Sequence, residues 1–341
     1  MKALVKAKDE IGLVLSDVNV PKIGNDDVLI KVKTTAICGT DLHIWNWDNW
    51  ASSTIKTPMT VGHEFMGEVF EVGPDVKNFQ IGDRVSAESH ITGQNSRNAK
   101  AGKLHLDPET VNIGVDRDGA FAEFISVPAR NVVNLPDSIS DQIGSILDPF
   151  GNAVHATLSY DLVGEDVLVT GAGPIGIMSA AIAKYVGARK VLLTDINDHR
   201  LELAKKVCDV EVLNPLTGSL EEKMTEMGIK EGFDIGLEMS GNSNAFNDLI
   251  KNMYNGGRVA LLGLLPNNTQ INWDDVIFKG LNIKGIYGRE MFETWYKMTQ
   301  MIRSGLDISK VLTHKFLIDD YKSAFDVIQS GKCGKVVLLW E

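Results

Sequence analysis

Six consecutive residues, Gly171-Ala172-Gly173-Pro174-Ile175-Gly176, constrain the fold of this chain more than any other stretch. They follow the apolar run Asp166-Val167-Leu168-Val169-Thr170 and open a helical pattern over 177–186. A G-x-G-x-x-G spacing is weak evidence by itself, because glycines are common at turns. Between a strand and a helix it has a specific use. The first glycine permits the tight turn, the second lets a pyrophosphate approach the backbone, and the third lets helix and strand pack closely. The helix N-terminus then turns its N–H groups and positive dipole to the anion. The next apolar run, 190–195, ends in Asp195. An acid at that strand end accepts hydrogen bonds from both ribose hydroxyls and repels a 2′-phosphate, which favours NAD over NADP. Taken alone, Asp195 reads equally well as a solvated strand-end acid or a helix cap. Arg200, about one turn further on, packs over an adenine or pairs with Asp195.

Strand and helix patterns go on alternating through 233–238 and 257–262. That succession predicts an α/β, doubly wound parallel-sheet NAD domain of the Rossmann type over residues 151–284. Residues 1–150 differ: runs at 27–33, 67–72 and 121–127 alternate with period two between Gly and Pro punctuation. This predicts antiparallel strands and a small β-rich domain. The last segment, 285–341, holds two helical patterns and a closing strand-like run, Lys335-Val336-Val337-Leu338-Leu339, and is expected to complete the first domain. Residues 88–118 are polar and aperiodic and read as a protruding loop.

Two clusters in the β-rich half carry chemistry. Cys38-Gly39-Thr40-Asp41-Leu42-His43 brings a thiol, a hydroxyl and an imidazole together, and Gly62-His63-Glu64-Phe65-Met66-Gly67 adds an imidazole and a carboxylate. A lone Cys or His is more often a core side chain, but zinc takes thiolate, imidazole and carboxylate, and a catalytic site uses about three protein ligands plus an open position. With cysteines only at 38, 208 and 333, no disulfide framework is expected. The net charge of −11, spread without blocks, argues against nucleic acid or an anionic membrane as a partner. No signal-like start and no long apolar run occur, so a cytoplasmic protein is expected.

The GHExxG run at 62–67, together with Gly82-Asp83-Arg84-Val85 and the glycine turn, resembles the zinc-containing medium-chain alcohol dehydrogenase family over essentially the whole chain. Three longer runs are similar to its L-threonine-oxidising branch: Cys38 to His43, Asp148-Pro149-Phe150-Gly151-Asn152-Ala153-Val154-His155, and the stretch 285–296. The resemblance implies a GroES-like catalytic domain over 1–150 and 285–341, and one catalytic zinc held by Cys38, His63 and Glu64. It makes Thr40 and His43 the proton relay and places Asp148 beside the metal, although an Asp before Pro149 is equally a helix N-cap. It carries nucleotide contacts onto Ile175, Asp195, Arg200, Leu262, Gly263, Leu264, Ile286 and Tyr287, the last apolar positions serving equally well as core. The implied reaction is NAD-dependent oxidation of the secondary hydroxyl of L-threonine to 2-amino-3-oxobutanoate, through an alkoxide at zinc and hydride transfer. A homotetramer, and functional coupling to a glycine C-acetyltransferase, follow from the same resemblance.

For the ammonium and carboxylate of such a substrate, Glu88, His90 and Arg289 are the candidates, Arg289 also being placed to pair with Glu293. Many family members hold a second, structural zinc on four cysteines. Here the matching positions carry Gly93, Ser96, Ala99 and Asp107, so that metal is expected to be absent. The alternatives are a sorbitol- or butanediol-type polyol dehydrogenase of the same family or, more distantly, an inactive structural paralogue.

Overall fold

The computed structural model describes residues 1–340. The chain forms two compact units: Met1–Pro149 with Glu290–Trp295 and the residues from Leu312 onward, and Phe150–Arg289 with Tyr296–Val311. The tail is therefore shared between the units, whereas the sequence pattern assigned all of 285–341 to the first. Packing explains the difference. Ser309–Val311 rests on the helices Pro174–Tyr185 and Asp198–Val207, and Tyr185 and Ser304 share a 2.7 Å hydroxyl hydrogen bond.

The first unit is built around the strand Asp27–Ala36, in which Val28, Ile30 and Val32 are buried while Lys31 between them is exposed. From Ile30 to Lys33 this is the period-two alternation of a sheet with one face on a core, while Leu29 and Thr34 to Ala36 are buried as well. Along one side it pairs antiparallel with Glu64–Val72. On the other it pairs with Phe124–Pro128 near its start and with the C-terminal strand Lys335–Leu339 near its end. Phe65, Val69, Phe121, Val336 and Leu338 fill the core beneath, each contributing up to about 1.5–3 kcal/mol by burial. The registers fix the site: Ala36 lies opposite Glu64, and Val337 lies opposite Ala36. A one-residue slip would turn every side chain to the wrong face.

The second unit contains six parallel strands, labelled β1 (Asp166–Thr170), β2 (Lys190–Thr194), β3 (Glu211–Leu213), β4 (Phe233–Glu238), β5 (Met253–Leu261) and β6 (Asn282–Gly285). Their order is β3-β2-β1-β4-β5-β6. Every residue of β1 is buried, as expected for a central parallel strand covered by helices on both faces. Parallel pairing puts the carboxyl ends of all six strands along one edge. The winding reverses between β1 and β4, and a doubly wound sheet takes its ligands in the crevice outside such a switch point.

Candidate functional site

The metal cluster is a product of strand register. Cys38 lies two residues beyond Ala36 on one strand, and His63 and Glu64 lie at the start of the strand opposite, so all three meet at one end of the sheet. Their ligand atoms fall within 4.8 Å of one another. Both flanking glycines are sterically required. Gly62 has φ +90°, and a side chain there would run into the Phe121 ring. A Cβ on Gly67 would stand 2.4 Å from the Lys31 carbonyl.

Glu64 is fully buried, and Lys335 from the C-terminal strand pairs with its Oε2 while donating to the Ile37 carbonyl at 2.8 Å. Asp41, also fully buried, accepts the Cys38 backbone N–H at 2.8 Å and stands 3.8 Å from His63 Nδ1. Burial pushes both carboxyls up, against the pull of His63 on Asp41 and of Lys335 on Glu64. Burial opposes a charged His63, yet the adjoining Cys38 and Asp41 outweigh it and hold the imidazole well above its usual range. The cluster is therefore short of positive charge, and Glu64 Oε1 and His63 Nδ1 are buried without hydrogen-bond partners. Thiol, imidazole and carboxylate at this spacing suit zinc, and Asp41, 3.8 Å from His63 Nδ1, is the neighbouring carboxylate beyond the ligand set.

Thr40 and His43 occupy the helix Gly39–Asn46, which Cys38 caps. The Cys38 thiol donates to Thr40 Oγ1 at 3.8 Å. Three residues apart, Thr40 and His43 share a helix face, and the His43 side chain is 60% exposed. Asp148 accepts the Ser89 hydroxyl at 2.7 Å and lies close enough to act electrostatically on His63 and Glu64. Its reading as an N-cap needs correcting. The helix Leu147–Thr157 already includes it, so Asp148 lies in the first turn, where the helix N-terminus still favours an anion.

Glu88 and Arg289 are more deeply buried than residues offered directly to a substrate would suggest. Glu88 has no exposure and accepts Trp295 Nε1–H at 2.8 Å and the His90 backbone N–H at 3.0 Å, with His90 Nδ1 at 3.3 Å. Arg289, 1% exposed, donates to Asn152 Oδ1 at 3.1 Å and packs over Gly151, where a Cβ would meet its side chain at 2.4 Å.

In the second unit, the glycine turn behaves as its spacing requires. Gly171 has φ +93°; a Cβ on Gly176 would lie 1.8 Å from the Gly171 carbonyl oxygen, whereas a Cβ on Gly173 would meet nothing within 4 Å. Tight turn, close packing and open approach are thus divided among three residues. Pro174 and Ile175 open the helix that Gly173 caps. Asp195 accepts the Ala172 N–H at 2.7 Å and the Asn197 N–H at 2.8 Å, with Arg200 Nη1 at 3.9 Å. Gly171, Gly173, Asp195 and Arg200 line a cavity of about 730 Å³ with Met239 and Ser240, large enough for part of a dinucleotide.

Glu238 ends β4 and holds one wall of that cavity. Fully buried, it accepts the N–H groups of Ser240 at 2.9 Å and Gly241 at 3.0 Å. A Cβ on Gly263 would stand 2.2 Å from its Oε2. Leu262 and Gly263 follow β5 and both return N–H bonds to the Glu238 carbonyl. Leu264 is 94% exposed and Tyr287 50%, while Ile286 is buried and bonds the Leu261 carbonyl at 2.9 Å. Of the apolar positions, Ile286 is core; Leu264 and Tyr287 stand open at the carboxyl edge.

Three supporting residues escaped the sequence reading. Asp41 sits inside the first motif but reads as an ordinary first-turn acid. Lys335 is 271 residues from Glu64 and has no local signal. Glu238 looks like the polar end of a strand.

The segment 88–118 is more ordered than a loop, with a strand pair, His90–Ile91 against Val111–Asn112, and a short helix, Arg97–Lys100. Ser96 caps that helix through the Ala99 N–H at 3.1 Å. Hydrogen bonds, foremost from the Ser96 hydroxyl, hold the Asp107 carboxyl below its usual range. One hydroxyl and one carboxylate are not the donor set of a closed zinc site.

Residues 24–137 match the alcohol dehydrogenase GroES-like domain, and residues 174–304 match the zinc-binding dehydrogenase family. An L-threonine 3-dehydrogenase of Vibrio parahaemolyticus is 58% identical over 341 residues, covering 100% of this chain and 99% of the relative. One of Escherichia coli O1:K1 is 57% identical and covers 100% of both chains. Among solved structures, 2R,3R-butanediol dehydrogenase from Bacillus subtilis superposes with a TM-score of 0.90 at 25% identity, covering 100% of this chain and 99% of that one. An alcohol dehydrogenase from Escherichia coli CFT073 complexed with NADH reaches 0.91 at 25% identity, with the same coverage. In glycine turn, ligand set and full-length likeness alike, this chain belongs to the zinc-containing medium-chain alcohol dehydrogenase family.

Proposed function

We propose that this protein oxidises the secondary hydroxyl of L-threonine to 2-amino-3-oxobutanoate with NAD. The observation that carries the reading is the full-length identity of 58% and 57% with L-threonine 3-dehydrogenases, in a chain whose Cys38, His63 and Glu64 converge. Bound at those three residues, zinc supplies the positive charge that lowers the pKa of an alcohol, and NAD at the glycine turn supplies the hydride acceptor.

The chain's own groups do the rest. Thr40, next to the thiol ligand, accepts the substrate's hydroxyl proton and passes its own to His43, whose exposed ring releases a proton to water. An imidazole suits this task because its unperturbed pKa of about 6.5 allows exchange near neutrality. Asp148, in the first turn of its helix, stands beside the ligands. Asp195 presents its carboxylate to the adenosine ribose, with Leu264 and Tyr287 beside the nicotinamide end. Glu88 holds His90 in place for the charged groups of the substrate.

NADH formation with L-threonine tests the reading. We expect turnover to be abolished by a chelator and restored by zinc, with 2,3-butanediol and sorbitol much slower; a polyol turned over faster than L-threonine would overturn the substrate assignment. His43→Ala is expected to lower kcat by about 10²–10⁴-fold while zinc content and NADH affinity hold. Unchanged turnover would remove the relay role. Metal analysis is expected to give one zinc per subunit, since the lobe at 93–107 lacks thiolates.

A cytoplasmic homotetramer belongs to the same proposal, its assembly to be checked by sedimentation. The product is an unstable oxo acid, and a glycine C-acetyltransferase that cleaves it with coenzyme A is the proposed functional partner.

A further inference from the structure

The helix Gly39–Asn46, which carries Thr40 and His43, ends at Trp47 in a left-handed conformation, φ 52° and ψ 47°. Lys6 lies over the Trp47 ring at 4.7 Å, and the Gly12 N–H bonds the Trp45 carbonyl at 2.7 Å, so the turn is braced from the N-terminal segment. The turn delivers Asp48 to two tasks at once. Its Oδ1 accepts the Ala51 N–H at 3.0 Å as the N-cap of Asn49–Thr54, and its Oδ2 stands 2.5 Å from His43 Nδ1. The Trp50 ring meets the imidazole edge-on at 6.0 Å.

An ionised carboxylate only accepts hydrogen bonds, so the ring nitrogen facing it must carry the hydrogen. In a neutral imidazole the other nitrogen then holds the free lone pair. We infer that Asp48 is a positioning residue of the proton relay: it fixes His43 with its hydrogen on Nδ1 and leaves Nε2 as the proton acceptor. A proton arriving at Nε2 makes an imidazolium with both N–H groups, which Asp48, staying ionised, stabilises. Loss of the Nε2 proton to water restores the starting ring. Because the helix cap occupies Oδ1, the carboxylate cannot rotate away without giving up a hydrogen bond. The inference rests on the relay role given to His43 above.

Asp48→Asn separates the tautomer from the fold. Asparagine caps a helix as well as aspartate does. With its oxygen still on Ala51, however, it turns an amide donor toward Nδ1 and forces the hydrogen onto Nε2. Ring ¹⁵N shifts of His43 in the substrate-free protein are expected to report Nδ1–H in the native chain and Nε2–H in Asp48→Asn. With L-threonine, kcat is expected to fall about ten- to a hundredfold, with zinc content and NADH affinity unchanged. An Nε2–H ring in the native chain, or the same tautomer in both proteins, overturns the inference. Should Asp48→Asn fold poorly, Asp48→Ser keeps a cap and removes the ring's partner. A mixture of tautomers is then expected, and an unchanged Nδ1–H ring counts against Asp48. Since the ring signature needs no substrate, failure to oxidise L-threonine would refute the function without deciding the tautomer.

Discussion

Glu64 is a carboxylate with no exposure whose Oε2 is taken by Lys335 and whose Oε1 has no partner. Removing one member of a buried pair strands the other charge, at a cost of about 3–5 kcal/mol. Lys335→Met is therefore expected to destabilise the chelator-treated protein by about that amount, and the zinc-loaded protein by clearly less, because the metal partly replaces the lost positive charge. Lys335→Arg should be milder in both. Urea unfolding with chelator and with zinc measures the difference; an equal loss in both conditions would mean that Lys335 does not share Glu64 with the metal. At this scale the ligands were legible because Cys38, His63 and Glu64 lie in compact motifs with required glycines. Lys335 was not, since only the pairing of Val337 with Ala36 and of Ala36 with Glu64 brings it there.

The strand–turn–helix at β1 divides its labour so sharply that two neighbouring glycines should fail in different ways. Gly176→Ala forces a Cβ to within 1.8 Å of the Gly171 carbonyl oxygen. Since that contact is backbone and cannot swing aside, the helix must shift, and both the thermal midpoint and NADH affinity are expected to fall. Gly173→Ala meets no protein atom within 4 Å. Its added methyl stands only where a pyrophosphate would approach, so NADH affinity is expected to drop with the midpoint nearly unchanged. Calorimetry with and without NADH separates the two; a retained NADH affinity in Gly173→Ala would move the pyrophosphate elsewhere. Elements like these were legible because turn glycines and the change from period two to alternating strand and helix are local signals. The cap reading of Asp148 failed for want of one. A helix at Asp141–Ser145, capped by Ser140, leads almost directly into Leu147–Thr157, so the start sought at Asp148 had already occurred.

Charge is a property of the whole chain, and the fold places part of it under strain. Net charge is −11 at pH 7, and three acids in the second unit are disfavoured as anions. Burial, then the adjoining Asp234, pushes Glu165 up; burial pushes up Asp166 at the start of β1 and Glu238 at the end of β4. A carboxyl whose pKa is higher folded than unfolded binds more protons in the folded state, so its stabilising contribution is lost as pH rises through the folded value. Asp48, Glu211 and Asp307 are held low instead. Their contributions are present above the ordinary carboxylate range and disappear only below about pH 4. Above the ordinary carboxylate range the raised groups therefore decide the slope, these three acids together with Asp41, Glu64 and His63 of the metal cluster, and relief of anionic repulsion acts in the same direction. The urea midpoint of the chelator-treated protein is expected to climb as pH is lowered from mildly alkaline conditions toward that range. High salt should remove the repulsive share, which is screened, and leave the share of the buried acids, which is not. Glu238→Gln, with no ionisable side chain at that position, should remove part of that remainder. A midpoint that falls on acidification toward that range in high salt would show that these raised groups do not govern the pH dependence of this fold's stability.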